Sequence, residues 1–259
     1  MKETRGTALV TGSGRRRVGN VVARSLAERG YAIALHYHSS TKAAEETAEE
    51  LRMLDIECDA FRADVSDEAE VEEMFRKVKS RFGRLDVLVT TASIWGTQRL
   101  EDVNSEDLLK NFQINTVGTF LCARQAGLIM CAQAEGGSII TMGDWAIDRP
   151  YLDHAAYFIS KGSIPTLTRT LAVELGMRNS NVRVNCIHPG PIMFPPDTSE
   201  KERQELIEST LTKSGNCPES VSQAVAFFIE NKFVTGTCLP VDGGRSIYAS
   251  EATSRSRAI

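Results

Sequence analysis

The residues that most constrain the fold stand near the N-terminal end. Gly6-Thr7-Ala8-Leu9-Val10 is a short β-prone apolar run. It leads directly into Thr11-Gly12-Ser13-Gly14-Arg15-Arg16-Arg17-Val18-Gly19 and then into a helix-like segment, Asn20 to Arg29. Strand, glycine-rich turn and helix in that order are the context of a dinucleotide fingerprint. The glycines let backbone approach a pyrophosphate closely, and the helix N-terminus turns unpaired N–H groups toward the anion. A lone glycine-rich turn says little; its placement between a strand and a helix gives it meaning.

The remainder of the chain alternates in the same way. Apolar, β-prone runs at Ala32–His38, Cys58–Ala63, Leu85–Thr90, Ser138–Met142 and Val182–Ile187 are separated by helical patterns. These cover about Lys42 to Leu54, Asp67 to Phe82 with Ser66 as N-cap, Asp107 to Ala134, and His154 to Met177. Such alternation predicts an α/β chain: a three-layer Rossmann fold with a doubly wound parallel sheet of about seven strands. One such unit accounts for all of residues 1–259 as a single domain. Sheets of this type bind ligands outside the carboxyl ends of their strands, where Gly12, Ser40, Asp64, Thr91, Asp144 and Pro189 all fall.

Composition narrows the function. An apolar fraction of 42% suffices for a sizeable core, and a net charge of −4 gives no reason to expect nucleic acid or a membrane as partner. No apolar run reaches the roughly 18 residues that span a bilayer, and Met1-Lys2-Glu3-Thr4-Arg5 enters the first strand without a signal-peptide core, so a cytoplasmic protein is expected. Six cysteines (Cys58, Cys122, Cys131, Cys186, Cys217, Cys238) form no C-x-x-C pair and read as reduced, mostly buried small hydrophobes rather than catalytic or metal-binding groups. The four histidines likewise show no metal-ligand spacing; His154 and His188 are candidates to line a substrate pocket. A small molecule is the expected substrate, and no metal is expected.

Two local features carry the chemistry. The strand Ala32–His38 ends without the Asp or Glu that would bind the ribose 2′-OH of NAD; His38, Ser39 and Ser40 stand there instead, with Arg15, Arg16 and Arg17 on the preceding loop. Guanidinium and hydroxyl groups bind a 2′-phosphate that a carboxylate would repel, so the expected cofactor is NADP(H). Tyr157 and Lys161 are four residues apart, hence on one helix face. An ammonium beside a phenol favours the ionised phenol and makes the pair suitable for proton transfer.

The chain resembles the short-chain dehydrogenase/reductase family over about residues 5 to 248. The resemblance is carried by Thr11-Gly12, Asp64-Val65, Leu88-Val89-Thr90-Thr91-Ala92-Ser93, Asn115, Tyr157 with Lys161, Pro189-Gly190 and Val241-Asp242-Gly243-Gly244, in that order and separation. It implies Tyr157 as proton donor and Lys161 as the group that binds the nicotinamide ribose and lowers the tyrosine pKa. It also implies that Asn115 holds a relay water and that Asp64 and Val65 contact adenine. With these go Gly12, Ser13, Arg16, Arg17, Val18, Gly19, His38, Ser39, Ser40, Thr91, Ala92, Ser93, Pro189, Gly190 and Ile192 as cofactor-binding positions. The segment near 190–216 matches the family's substrate lid, and a homo-oligomer, tetramer or dimer, is the family expectation.

The departures point to the substrate. Most members carry a serine where this chain has Asp144, thirteen positions before Tyr157. An ionised aspartate accepts hydrogen bonds only and repels a developing alkoxide, so ordinary ketone reduction is disfavoured unless burial keeps Asp144 protonated. A substrate rich in N–H donors, or one with a ring nitrogen to protonate, suits it. The pteridine reductases and their dihydropterin-reducing relatives share this aspartate. Arg17, His36-Tyr37-His38 with Ser40, and Ala92-Ser93-Ile94-Trp95 also resemble that branch, in which the aromatic residue stacks on the pterin. Three features differ from it: one extra residue between Gly12 and Arg17, Thr90-Thr91 in place of paired asparagines, and Pro165, which predicts a bend at Lys161. The leading expectation is NADPH-dependent reduction of a dihydropterin or dihydrofolate. A 3-oxoacyl-thioester or other carbonyl reductase is the alternative, and a non-catalytic NADP-binding sensor a third.

Overall fold

The computed structural model describes residues 4–248. The polar tail, Ser250 to Ile259 with Arg255 and Arg257, whose order was expected to depend on a partner subunit, lies outside the described residues. Seven strands form one sheet in the order β3-β2-β1-β4-β5-β6-β7: β1 (Thr7–Thr11), β2 (Ala32–Tyr37), β3 (Cys58–Arg62), β4 (Val87–Thr90), β5 (Gly137–Met142), β6 (Val182–Pro189) and β7 (Cys238–Val241). Every neighbouring pair is parallel. Strands covered on both faces read as near-continuous apolar runs, and all five residues of β1 are buried. The order reverses between β1 and β4, where Thr11 stands opposite Thr90. That is the switch point at which such sheets open a crevice.

Helices fill both faces. α1 (Val18–Glu28), α2 (Thr41–Met53) and α9 (Glu219–Glu230) cover one, packing Val22, Leu26, Leu51, Val225 and Phe228 against β1, β2 and β5. α3 (Glu68–Phe82), α5 (Gly118–Cys131) and α7 (Ile164–Gly176) cover the other, through Phe75, Met74, Met130 and Leu175. α4 (Ser105–Phe112), α6 (Ala155–Gly162) and α8 (Glu200–Glu208) lie between these or in the connections. Among the described residues, no helix is long and apolar enough to cross a membrane.

Three boundaries differ from the sequence reading. The N-cap of α3 is Asp67, not Ser66: the Asp67 carboxylate accepts from Glu70 N at 2.9 Å, while the Ser66 hydroxyl turns back to Asp64 at 2.6 Å. The expected helix from Asp107 to Ala134 begins earlier, under an Asn104/Asp107 capping box, and is interrupted by a π-helical turn, Gln113–Val117. That turn carries Asn115, and π turns of this kind are frequent at functional sites. The expected helix from His154 to Met177 breaks at Ser163 into α6 and α7. Pro165, lacking an N–H, sits in the first turn of α7 rather than mid-helix. The disturbance predicted at Lys161 therefore falls two residues later, as a one-residue interruption at Ser163, whose backbone stays in the right-handed helical region.

The β1–α1 turn is held by contacts that exclude side chains. Thr91 Oγ1 donates to Thr11 O, and a Cβ on Gly19 would stand 2.2 Å from that same Oγ1 and 3.1 Å from Gly12 O. Gly19→Ala is expected to destabilise the fold by about 1–3 kcal/mol, the usual cost of overpacking. Adding Thr91→Ala should return part of the loss. Denaturant midpoints across the four-variant cycle measure this coupling, and additive losses would remove the clash as the cause.

Candidate active site

Gly12 adopts φ +67°, a conformation costly for any residue with a side chain, and a Cβ there would lie 2.9 Å from Ala92 Cα. Its N–H donates to His36 Nδ1 at 2.9 Å, and His36 Nε2–H donates to Ala63 O at 3.0 Å. One imidazole thus ties the turn to the end of β3. The neutral ring in a single tautomer is required, and burial pushes the His36 pKa down to about 4. Between about pH 6.5 and about pH 4 the folded chain binds fewer protons than the unfolded one. Stability is complete above that window and falls by at most about 3 kcal/mol as pH drops through it. Urea midpoints measured across the window test this: His36→Gln should be less stable at neutral pH and lose less on acidification.

Ser13, expected at the cofactor, is fully buried and belongs to the same anchor. Its hydroxyl donates to Val10 O at 2.7 Å and accepts from His36 N at 3.2 Å, and its carbonyl accepts from Asn20 Nδ2 at 2.9 Å. The arginines of the loop are placed differently. Arg15, Arg16 and Arg17 are exposed, and among the described residues their guanidiniums make no ion pair or hydrogen bond. A Cβ on Gly14 would lie 3.2 Å from Ser40 Oγ, so the loop is pressed against the end of β2, where His38 and Ser39 are exposed. His38 Nε2 lies 3.8 Å from Asp64 Oδ2 at the end of β3. These residues fit a nicotinamide dinucleotide: a turn whose packing admits only glycine at 12 and 19, exposed guanidiniums beside it, and no carboxylate closing β2. Val65 is buried against Gly118 of α5, where a Cβ would meet its Cγ2 at 2.8 Å.

The residues expected to transfer a proton converge after β5. Tyr157 OH donates to Asp144 Oδ2 at 2.8 Å, and Asp144 Oδ1 accepts from Ala146 N at 2.8 Å. Lys161 is buried, and its Nζ donates to Met142 O at 2.9 Å. The resemblance implied a tyrosine pKa lowered by Lys161. The structure reverses this: burial, then the Asp144 charge and hydrogen bond, push Tyr157 well above the usual phenol value. Burial moves Lys161 the other way, below the usual ammonium value, with Asp144 and Cys186 opposing. Burial is the larger cause, and the carboxylate adds to it because it touches the hydroxyl directly, whereas the lysine ammonium is bonded to a backbone carbonyl.

Asn115 is fully buried, and both polar atoms of its side-chain amide have protein partners. Oδ1 accepts from Ser93 Oγ at 2.9 Å and Ile94 N at 2.8 Å; Nδ2 donates to Ile94 O and Ser160 Oγ, both at 3.0 Å. Asn115 therefore clamps the loop after β4 onto the Tyr157 helix, and Ser160 completes the clamp by donating to Tyr157 O at 2.6 Å. In that loop Ala92 N donates to Thr11 Oγ1 at 3.1 Å.

Trp95 sits at an aromatic rim. Its exposed ring stacks on His154 with centroids 4.9 Å apart and planes at 26°. His154 meets Tyr151 edge-on at 4.8 Å, and Tyr151 lies parallel to Trp145 at 6.0 Å. The Arg245 guanidinium lies over the Trp145 ring, 4.3 Å from its centroid. Tyr151, Trp145 and Arg245 were not singled out from sequence, since nothing marks their loops until the chain returns over the site. At the opposite side, Gly190 N donates to Val241 O at 2.9 Å and Ile192 is buried. The excursion near 190–216 is pinned at its base by Asn216 N donating to Pro191 O at 2.9 Å, and it carries α8 beneath a Ser199/Glu202 capping box. Cysteine and histidine spacing offered no ligand set, yet β6 and β7 bring Cys186, His188 and Cys238 together.

Comparison with known proteins agrees with this geometry. A family model described as Enoyl-(Acyl carrier protein) reductase matches residues 13–246. Glucose 1-dehydrogenase 2 of Bacillus subtilis (strain 168) is 31% identical, over 95% of this chain and 96% of its own length. The 3-oxoacyl-[acyl-carrier-protein] reductase of Rattus norvegicus is 32% identical, over 91% and 96%. Among solved structures, a blue fluorescent protein from a metagenomic library, in complex with NADPH, superimposes with a TM-score of 0.85 at 30% identity, covering 93% of this chain and 98% of that one.

Proposed function

Because this chain belongs to the short-chain dehydrogenase/reductase family and is an oxidoreductase of that type, we propose that it reduces a pteridine, a dihydropterin or dihydrofolate, with NADPH. The observation that carries this reading is the Asp144 carboxylate on the Tyr157 hydroxyl, behind an aromatic rim that suits a flat ring. The cofactor, when bound, supplies a hydride. Lys161 and the glycine-rich turn from Gly12 to Gly19 would hold it, with Arg15, Arg16, Arg17 and Ser40 taking the 2′-phosphate.

The protein's own part is proton control. Ionising Tyr157 beside Asp144 would set two negative charges in contact, a penalty of about 4 kcal/mol or more near 4 Å at an effective dielectric of about 20. Tyr157 is therefore held protonated as donor. A substrate that offers N–H groups to Asp144 takes the place of the tyrosine hydroxyl on the carboxylate and frees that hydroxyl to turn its proton toward a ring nitrogen. A developing ketone alkoxide offers the carboxylate nothing to accept. Asn115 and Ser160 keep the tyrosine helix and the Trp95 loop in register.

A second reading, reduction of a 3-oxoacyl thioester, is favoured by the similarity to the rat reductase. The experiment is NADPH oxidation by the pure protein with dihydrobiopterin, dihydrofolate and acetoacetyl thioester side by side, and NADH as cofactor control. Pterin turnover in preference to thioester supports the reading. Turnover of the thioester alone overturns the substrate while leaving the reductase.

A further inference from the structure

We propose that Cys186, His188 and Cys238 form a site for a thiophilic divalent cation, Zn²⁺ being the best fit. Cys186 and His188 are two apart on β6 and so share a face, and the β6–β7 register sets Cys238 directly opposite Cys186. One ring nitrogen and two sulfurs, all within 4.8 Å of one another, result. Two sulfurs with an imidazole select zinc-like cations over magnesium or calcium, which take oxygen ligands. Zn–S of about 2.3 Å and Zn–N of about 2.0 Å in a tetrahedron separate the ligand atoms by about 3.3–3.8 Å. Small side-chain rotations close the remaining gap.

Three independent observations favour a ligand set over three buried bystanders. His188 is buried, yet its Nε2 has no hydrogen-bond partner, whereas buried polar atoms are nearly always paired. Gly143 keeps open the space beside that ring: a Cβ there would stand 2.8 Å from His188 Nε2 and 3.3 Å from Cys186 Sγ. Cys238 is only partly buried and lies on the sheet's edge strand, which gives a cation a way in. Three protein ligands leave a fourth position for water, as in open zinc sites. Binding forms two S–Zn bonds and one N–Zn bond and releases both thiol protons to solvent, with no change of oxidation state. Two thiolates balance the dipositive ion, so no net charge is added to the interior. Gly143 N donates to Ile187 O at 2.9 Å and precedes Asp144, so an occupied site would brace the residue that holds the catalytic tyrosine.

The test uses the full-length protein, reduced and stripped of metal, titrated anaerobically with Co²⁺ alone. Binding saturating at about one ion per chain, with thiolate-to-cobalt charge-transfer and tetrahedral d–d bands bleached by Zn²⁺, is expected. Cys238→Ser and His188→Gln should each weaken binding by more than about tenfold. Cys131→Ser and Cys217→Ser should bind as the parent does. In the unaltered protein, Zn²⁺ should also slow alkylation of Cys238 by about tenfold or more, read by mass spectrometry. Absence of the charge-transfer band, unprotected Cys238, or bands that survive both ligand substitutions would each overturn the proposal.

Discussion

Tyr157→Phe is expected to lower kcat by about 100- to 10,000-fold, the range a positioned general acid contributes. The cofactor dissociation constant should stay within about twofold, because the hydroxyl lost is the one facing Asp144 rather than part of the glycine-rich turn at Gly12. The ring remains and still packs against Phe158 at 5.4 Å, so the fold should survive. Asp144 keeps its bond from Ala146 N and is only partly buried, which limits the cost of the vacated Oδ2. Single-turnover rates with a dihydropterin, beside NADPH binding by fluorescence, separate the two effects. A rate within tenfold of the parent would remove Tyr157 as proton source.

Asp144→Ser carries the second large effect, and its sign depends on the substrate. Pterin reduction should fall by about 100-fold or more, as a loss of one charge-assisted contact and of proton control implies, while reduction of a simple ketone or thioester should rise. The variant also changes Tyr157 itself. The Asp144 charge and hydrogen bond both hold the phenol protonated; removing them lowers its pKa toward the ordinary value, with burial still opposing. The alkaline limit of activity should therefore move to lower pH in the variant, and a tyrosinate absorbance titration should move with it. Matching alkaline limits in parent and variant would show that Asp144 does not control the tyrosine, and unchanged pterin turnover would remove it from the site.

Much of this was legible in the chain. The parallel sheet, the switch point and the places of Gly12, Ser40, Asp64, Thr91, Asp144 and Pro189 at strand ends follow from local apolar periodicity, which each segment carries by itself. The Tyr157–Lys161 face and the missing acid after β2 are also local. What escaped depends on partners remote in sequence. The bonds that tie the Asn115 amide to Ser93, Ile94 and Ser160 cannot be read from its place in the chain. The burial of Ser13 against β2, with its hydroxyl bonded to His36 N, likewise needs the folded chain. His36 read as part of a strand end resembling the pteridine reductase branch, and only the folded chain shows its two ring nitrogens joining Gly12 to Ala63. The π turn at Asn115 and the break at Ser163 likewise required packing to reveal them, although Pro165 announced a disturbance.

The sequence by itself determined the fold, the family and the set of ionisable side chains that meet at the strand ends, because strand and helix periodicity and turn chemistry act over a few residues. Only the tertiary structure decided which charge governs Tyr157 and which sulfur faces which. Electrostatic control falls off steeply with distance and depends on burial. Asp144, thirteen residues away in the chain, is 2.8 Å away in space, while Lys161, one helical turn along, is bound to Met142 O instead. Cys186 and Cys238, separated by most of the lid and α9, become neighbours only through the β6–β7 register.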